Sequence, residues 1–172
     1  TQGMVLNHIY NRRTPQGGIE YFWPDEVENV YDEKGSIIGA RLKSDGSAVN
    51  YDGIGTMSKS KNNGVDPQHL IDEMGADTAR LFVMFASPPE QTLEWAESGI
   101  DGANRFLRRL WSFAYKHHLT LKAGVGQSLP TQLSKEAKDL RREIHSILKQ
   151  TEYDYQRIQY NTVVSGAMKM LN

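Results

Sequence analysis

Apolar residues in the C-terminal part of the chain recur at three- and four-residue intervals. Ile100, Ala103, Leu107, Leu110 and Ala114, with Phe106 and Phe113 on a neighbouring stripe, predict a long helix from Ser98 to about His118. Ala137, Leu140, Ile144, Ile147 and Leu148 repeat the period behind Ser134, whose hydroxyl suits an N-cap. Ile158, Val164, Met168 and Leu171 mark a final helix, so three antiparallel helices are expected. The connector from Leu119 to Pro130 carries Gly124, Gly126 and Pro130 and reads as an exposed loop.

The pattern changes towards the N-terminus. Between about Pro15 and Gly55 the turn signals Glu33-Lys34-Gly35 and Ser44-Asp45-Gly46 separate short β-favouring segments at Val27 to Tyr31, Ile37 to Leu42 and Ala48 to Tyr51. A small β-meander is expected, too small to bury much by itself. Its acidic residues Glu20, Asp25, Glu26, Glu28, Asp32 and Glu33 read as a solvated face. Between meander and helices, Asp66 is placed to cap a short helix with Pro67 at its first position, and Leu70, Ile71 and Met74 give it an apolar side. Gly75 can end it at positive φ. A second short helix runs from Asp77 or Thr78 through Phe85, with Leu81, Phe82, Met84 and Phe85 expected inside, and Ser87-Pro88-Pro89 stops it. Glu90 to Trp95 reads as a connector. The fold class expected is α+β, mostly helical: a β-rich insertion, a loop with short helices, then an antiparallel helical bundle.

Composition narrows the function classes. No long apolar run is present and mean hydropathy is −0.58, which leaves no transmembrane helix to assign. Twenty Lys and Arg against 21 Asp and Glu give a net charge of −1, so contact with nucleic acid must come from a local patch. The absence of cysteine removes disulfides and thiolate metal sites and is compatible with a cytoplasmic protein. His8, His69, His117, His118 and His145 are scattered, and the adjacent pair points to different helix faces, so no metal site is expected. Asp77 and Arg80, one turn apart, read as an intrahelical ion pair. Trp95 and Trp111 read as packing residues.

The stretch Thr56-Met57-Ser58-Lys59-Ser60-Lys61-Asn62-Asn63-Gly64 carries the candidate chemistry. Small and hydroxylated residues surround lysines, so the backbone can bend closely while ammonium groups swing onto phosphate. By composition alone the same stretch is equally a solvated turn. It lacks the G-x-x-x-x-G-K-[ST] spacing of a Walker loop, which argues against an ordinary P-loop ATPase.

The ordered run TMSKSKNNGVDPQHLIDEMGADTARLFVMFASPPEQTLEWAESGIDGANRFLRRLW is similar to leucyl-tRNA synthetases of the bacterial type, which are class I aminoacyl-tRNA synthetases. Thr56 to Ser60 resembles the KMSKS signature loop. Leu93-Glu94-Trp95, the segment from Gly102, and the ending Tyr160-Asn161-Thr162-Val163-Val164 resemble the same family, and Tyr21-Phe22-Trp23-Pro24 to Tyr51 resembles its small leucine-specific insertion. Four segments are expected on this basis: 1–14 as a tail of the catalytic domain, 15–55 as the insertion, 56–97 as signature loop and stem-contact region, and 98–172 as the start of the anticodon-binding bundle. The family's HIGH motif is missing, 172 residues are too few for its catalytic, editing and tRNA-binding parts together, and Thr1 to Leu6 begins in mid-pattern. A fragment that is inactive alone is therefore expected.

The resemblance implies a ligase that activates leucine with ATP, magnesium entering with the nucleotide phosphates, and passes it to tRNA(Leu). It implies Lys59 as the catalytic lysine, Met57, Ser58, Lys59 and Ser60 as ATP contacts, and Lys61 in support. Where the family has its first motif lysine this chain has Thr56, and a hydroxyl offers only a neutral hydrogen bond, about 0.5–1.5 kcal/mol against about 1.5–3 kcal/mol for a charge-assisted one. On the long helix Arg105, Arg108, Arg109 and Lys116 lie opposite the Ile100-Leu107-Leu110 stripe and suit an RNA backbone, though a solvated face has the same pattern. The competing reading of the whole chain is a non-catalytic helical RNA-binding or scaffold module, with the lysine loop a surface turn.

Overall fold

The computed structural model describes residues 3–128 and 130–171. Thr1, Gln2, Leu129 and Asn172, which the expected tail, loop and last helix include, lie outside the described residues. The chain divides into two compact units, one running to Pro67 and including Glu90–Trp95, the other formed by Gln68–Pro89 and the residues from Ala96 onward.

The first unit is a sheet. Its strands are β1 (Val5–Arg13), β2 (Ile19–Phe22), β3 (Val27–Tyr31), β4 (Ile37–Leu42), β5 (Ala48–Thr56) and β6 (Leu93–Glu94). The order β2-β1-β5-β4-β3 is antiparallel throughout, and β6 adds to β1 in parallel through Val5 and Leu6. Strands β3 and β4 have the bounds their turn residues predict. Asp32 closes the first turn by accepting from the N–H groups of Lys34 and Ser36 at 2.9 and 2.7 Å. In the second, the Asp45 carboxylate accepts from Ser47 N–H at 2.8 Å, and the bonding to Ser47 lowers its pKa. Tyr10, Phe22, Val27, Ala40, Leu42 and Val49 form the core, with Tyr51 packed against it. The Tyr10 hydroxyl donates to Asn29 Oδ1 at 2.7 Å, and burial raises its pKa.

Two features of this sheet depart from the expectation. A strand at Val5–Arg13, ahead of the meander, is not among the expected elements; β1 carries a bulge between His8 and Tyr10 that breaks the in-out alternation and buries Ile9, Tyr10 and Asn11 in succession. The segment Glu90 to Trp95 is not a plain connector. Leu93 N–H bonds to Met4 O and Trp95 N–H to Leu6 O, both at 2.9 Å, which makes β6 a strand.

The second unit holds α1 (Pro67–Met74) from its second residue on, α2 (Ala76–Ala86), α3 (Glu97–Gly124), α4 (Lys135–Gln156) and α5 (Tyr160–Leu171). Pro67 opens α1 as expected, and Gly75, at φ +86°, turns the chain between α1 and α2. Burial on α2 centres on Thr78 and Phe82, one turn apart, whereas Met84 and Phe85 are exposed, contrary to expectation. Asn104 of α3 donates to Met74 O and Thr78 Oγ1, both at 3.1 Å, tying α3 to the α1–α2 junction. Helix α3 runs six residues past the predicted end, since Leu119-Thr120-Leu121-Lys122-Ala123 contains nothing that stops it before Gly124. Ser134 caps α4 as expected, its Oγ accepting from Ala137 N–H at 3.2 Å. Ile158 is not helical. It occupies φ +61° behind α4, with Gln159 N–H bonding back to Asp154 O at 2.9 Å, the pattern in which glycine is usual.

Helix α2 packs on α3 and on α5, and α5 also on α4. The close approach of α5 to α4 depends on Gly166. A Cβ there would lie 2.3 Å from Thr151 Cγ2, and Thr151 is held in place because its hydroxyl donates towards Ile147 O and Leu148 O at 3.0 and 2.9 Å. Gly166→Ala gains up to about 1 kcal/mol of helix propensity but overpacks the contact by about 1–3 kcal/mol. The variant is expected to be less stable, by about 1 kcal/mol net. Denaturant unfolding of both proteins checks this; equal or greater stability of the variant contradicts it.

Candidate functional site: the lysine loop and the basic helix face

Strand β5 ends at Thr56, which is exposed, and the next residue keeps the strand's pairing because Met57 N–H bonds to Val5 O at 3.1 Å. Ser58 then turns the chain. Its Oγ accepts from Ser60 N–H at 3.3 Å and lies 2.8 Å from Ser60 Oγ, and Lys61 N–H bonds to Ser58 O at 3.2 Å. The result is a single 3₁₀ turn over Lys59–Lys61, with Asn62 behind it in the left-handed conformation at φ +51°. Lys59 and Ser60 are exposed, Met57, Ser58 and Lys61 half-buried. Among the described residues neither Lys59 nor Lys61 is held in an ion pair. The turn thus presents an ammonium group and two hydroxyls at the end of β5, a donor set suited to phosphate oxygens.

Two asparagines anchor the turn, and local composition gave no signal for either. Asn62 Nδ2 donates to Tyr21 O of β2 at 2.9 Å. Asn63 is wholly buried; its Oδ1 accepts from Ser58 N–H at 2.8 Å, and its Nδ2 faces the carbonyls of Asn7, Gly55 and Thr56 at 3.4, 3.3 and 3.3 Å. A polar side chain without exposure survives only with such partners. Asn-Asn-Gly reads as a turn, and Asn7 is 56 residues away in sequence.

In the second unit, Arg105, Arg108, Arg109 and Lys116 are all exposed on α3. Ile100 and Ala103 are buried and Leu107 and Ala114 half-buried on the opposite side, so the amphipathic assignment holds for the first turns. Further along it fails. Leu110 is exposed, and Trp111, Tyr115 and Leu119, at 73%, 72% and 70% exposure, form an apolar row one turn apart, so Trp111 does not pack as expected. Asp77 and Arg80 form the expected ion pair at 3.2 Å, and both ends are solvated. Among the described residues no group of three or more His, Asp or Glu could hold a metal ion, and no helix is long and apolar enough to cross a membrane.

Comparison with known proteins adds the following. The family of class I tRNA synthetases (I, L, M and V) matches residues 45–96. A leucine–tRNA ligase of Bordetella avium (strain 197N) is 73% identical over 99% of this chain, and one of Bordetella petrii is 71% identical over the same share. One from Leptothrix cholodnii is 68% identical over the whole chain. This sequence spans only 19% of the length of each of those proteins. Among solved structures, the ternary complex of Agrobacterium radiobacter K84 agnB2 LeuRS with tRNA and LeuAMS is similar over 68% of this chain and 15% of that one, with a TM-score of 0.61 at 21% identity. At that identity the likeness concerns the fold.

Proposed function

Because the chain belongs to the leucine–tRNA ligase family, we propose that it supplies the phosphate-contacting loop and part of the tRNA-binding surface of an enzyme that joins leucine to tRNA(Leu). On this reading residues 1–14 and 15–55 are the catalytic-domain tail and leucine-specific insertion, 56–97 the signature loop and stem-contact region, and 98–172 the start of the anticodon-binding helices. The leucine carboxylate attacks the α-phosphate of ATP as the bond to pyrophosphate breaks, and the leucyl group of the adenylate then moves to the 2′-hydroxyl of the terminal adenosine, which gives up its proton as AMP leaves. As that bond breaks, negative charge grows on the leaving phosphates.

The observation that carries the proposal is the exposed ammonium of Lys59, in no ion pair among the described residues, on a turn whose two ends are tied to the sheet. A lysine on a mobile stem can meet the leaving group as its charge develops and so favour the transition state over bound ATP. Ser58 and Ser60 can donate hydroxyl hydrogen bonds, and Met57 lies where β5 gives way to the turn. Thr56, exposed at the strand end, can add one neutral hydrogen bond. Magnesium enters with the ATP phosphates, and the cytoplasm is the compartment in which this chemistry belongs.

Leucine-dependent ATP–pyrophosphate exchange and leucine attachment to tRNA(Leu), measured on the longer protein implied by this reading, test it directly. Exchange that responds to isoleucine or valine as well as to leucine would overturn the substrate assignment. The 172-residue chain alone is expected to show negligible ATP affinity and at best weak tRNA affinity by calorimetry, since the adenosine and leucine pockets require groups beyond it. Tight ATP binding by this chain would contradict the division of labour.

A further inference from the structure

The phosphate-contacting role makes no use of Asn63, yet no side chain of the loop is more completely enclosed. Its single carboxamide spans three pieces of backbone: the first residue of the turn through Ser58 N–H, strand β1 through Asn7 O, and the end of β5 through Gly55 O and Thr56 O. Two amide hydrogens are shared among three carbonyls, so the group sits in a cage of acceptors that few other side chains could satisfy. Aspartate would keep the acceptor for Ser58 but set a carboxylate against three carbonyl oxygens. Alanine would leave all four backbone groups without this partner.

Between Ser58 and Asn63 the turn has local bonds, the Ser58–Ser60 pair and Lys61 N–H to Ser58 O, and one further link to the sheet, from Asn62 to Tyr21 O of β2. The place from which the Lys59 stem departs is therefore set by where Asn63 holds the two ends of the turn. We propose that Asn63 is a positioning residue for Lys59, fixing the point beside the end of β5 from which its stem sets out and so the positions its ammonium can reach. The proposal rests on the reading of Lys59 as the phosphate-contacting lysine. A four-carbon stem has enough rotamers to reach many places, and a displacement of about 1 Å at a reacting group can cost about 100-fold in rate.

A double-mutant cycle in the full-length enzyme tests this by leucine-dependent pyrophosphate exchange on wild type, Asn63→Ala, Lys59→Ala and the double variant. Asn63→Ala is expected to lower kcat by about 10- to 100-fold with the KM for leucine unchanged. The double variant is expected to fall within about twofold of Lys59→Ala alone, because a residue acting through the lysine has nothing left to position. Unchanged kcat in Asn63→Ala, or losses that multiply in the double variant, overturn the proposal. If Lys59→Ala retains full exchange, the underlying reading of the lysine fails, a result distinct from a normal Asn63→Ala beside an impaired Lys59→Ala. Melting curves establish that each variant is folded at the assay temperature. Should Asn63→Ala not be, Asn63→Ser, which leaves a smaller void, takes its place in the cycle under the same criteria.

Discussion

Replacing Lys59 by alanine in the full-length enzyme is expected to lower the rate of leucyl-adenylate formation by about 100-fold or more, the equivalent of about 2.7 kcal/mol of transition-state stabilisation. The size follows from when the contact is made. A charge that touched ATP equally before and during the reaction would lower KM and leave kcat alone; one that engages the leaving pyrophosphate as its charge grows acts on kcat. The exposed position of Lys59 favours the second case, because no carboxylate among the described residues has to be displaced before the ammonium can move. On the proposed reading Thr56 is expected to increase the dependence on Lys59, since at its position a hydroxyl stands where the related signature has a second ammonium. Thr56→Lys is accordingly expected to leave the enzyme active, and the combination with Lys59→Ala shows whether a charge at the strand end can substitute. Pre-steady-state adenylate formation measures the step, and near-normal turnover of Lys59→Ala would remove the lysine from the mechanism.

The sequence shows the lysine loop and hides what holds it. Several boundaries set by local chemistry were legible: Pro67 opening α1, Ser134 capping α4, and the turn signals at Glu33–Gly35 and Ser44–Gly46 that bound β3 and β4. Elements defined by distant partners were not. Strand β1 carries Asn7 and Asn11 at buried positions and a bulge at its centre, so no two-residue alternation survives to be read. Strand β6 is two residues long and exists only because β1 offers Val5 and Leu6 beside it. Leu110 and Trp111 mislead in the opposite direction, since periodicity and residue type mark them as apolar and say nothing of whether anything covers them, and both are exposed. Asn63 combines both difficulties, because a residue type common in exposed turns is here wholly buried by backbone contributed from two strands.

Reversing Arg108 and Arg109 together to glutamate is expected to weaken tRNA binding by about tenfold or more at low salt, and to make the dependence of log affinity on log salt shallower by about 1.4 to 1.8. Each phosphate met by an arginine releases close to one condensed counterion, so two lost contacts set the change in slope, while two introduced carboxylates add repulsion that salt screens. Both side chains are exposed, on the side of α3 away from Ile100 and Ala103. Arg105 and Lys116 remain on the same face, which should make the loss partial. This effect separates from that of Lys59 by assay. Pyrophosphate exchange without tRNA should be unchanged in the double reversal, whereas the KM for tRNA in aminoacylation should rise. Unchanged affinity at low salt would return this face of α3 to the status of a solvated helix surface, and a parallel fall in exchange would mean that the substitutions had damaged the fold and not the RNA contact.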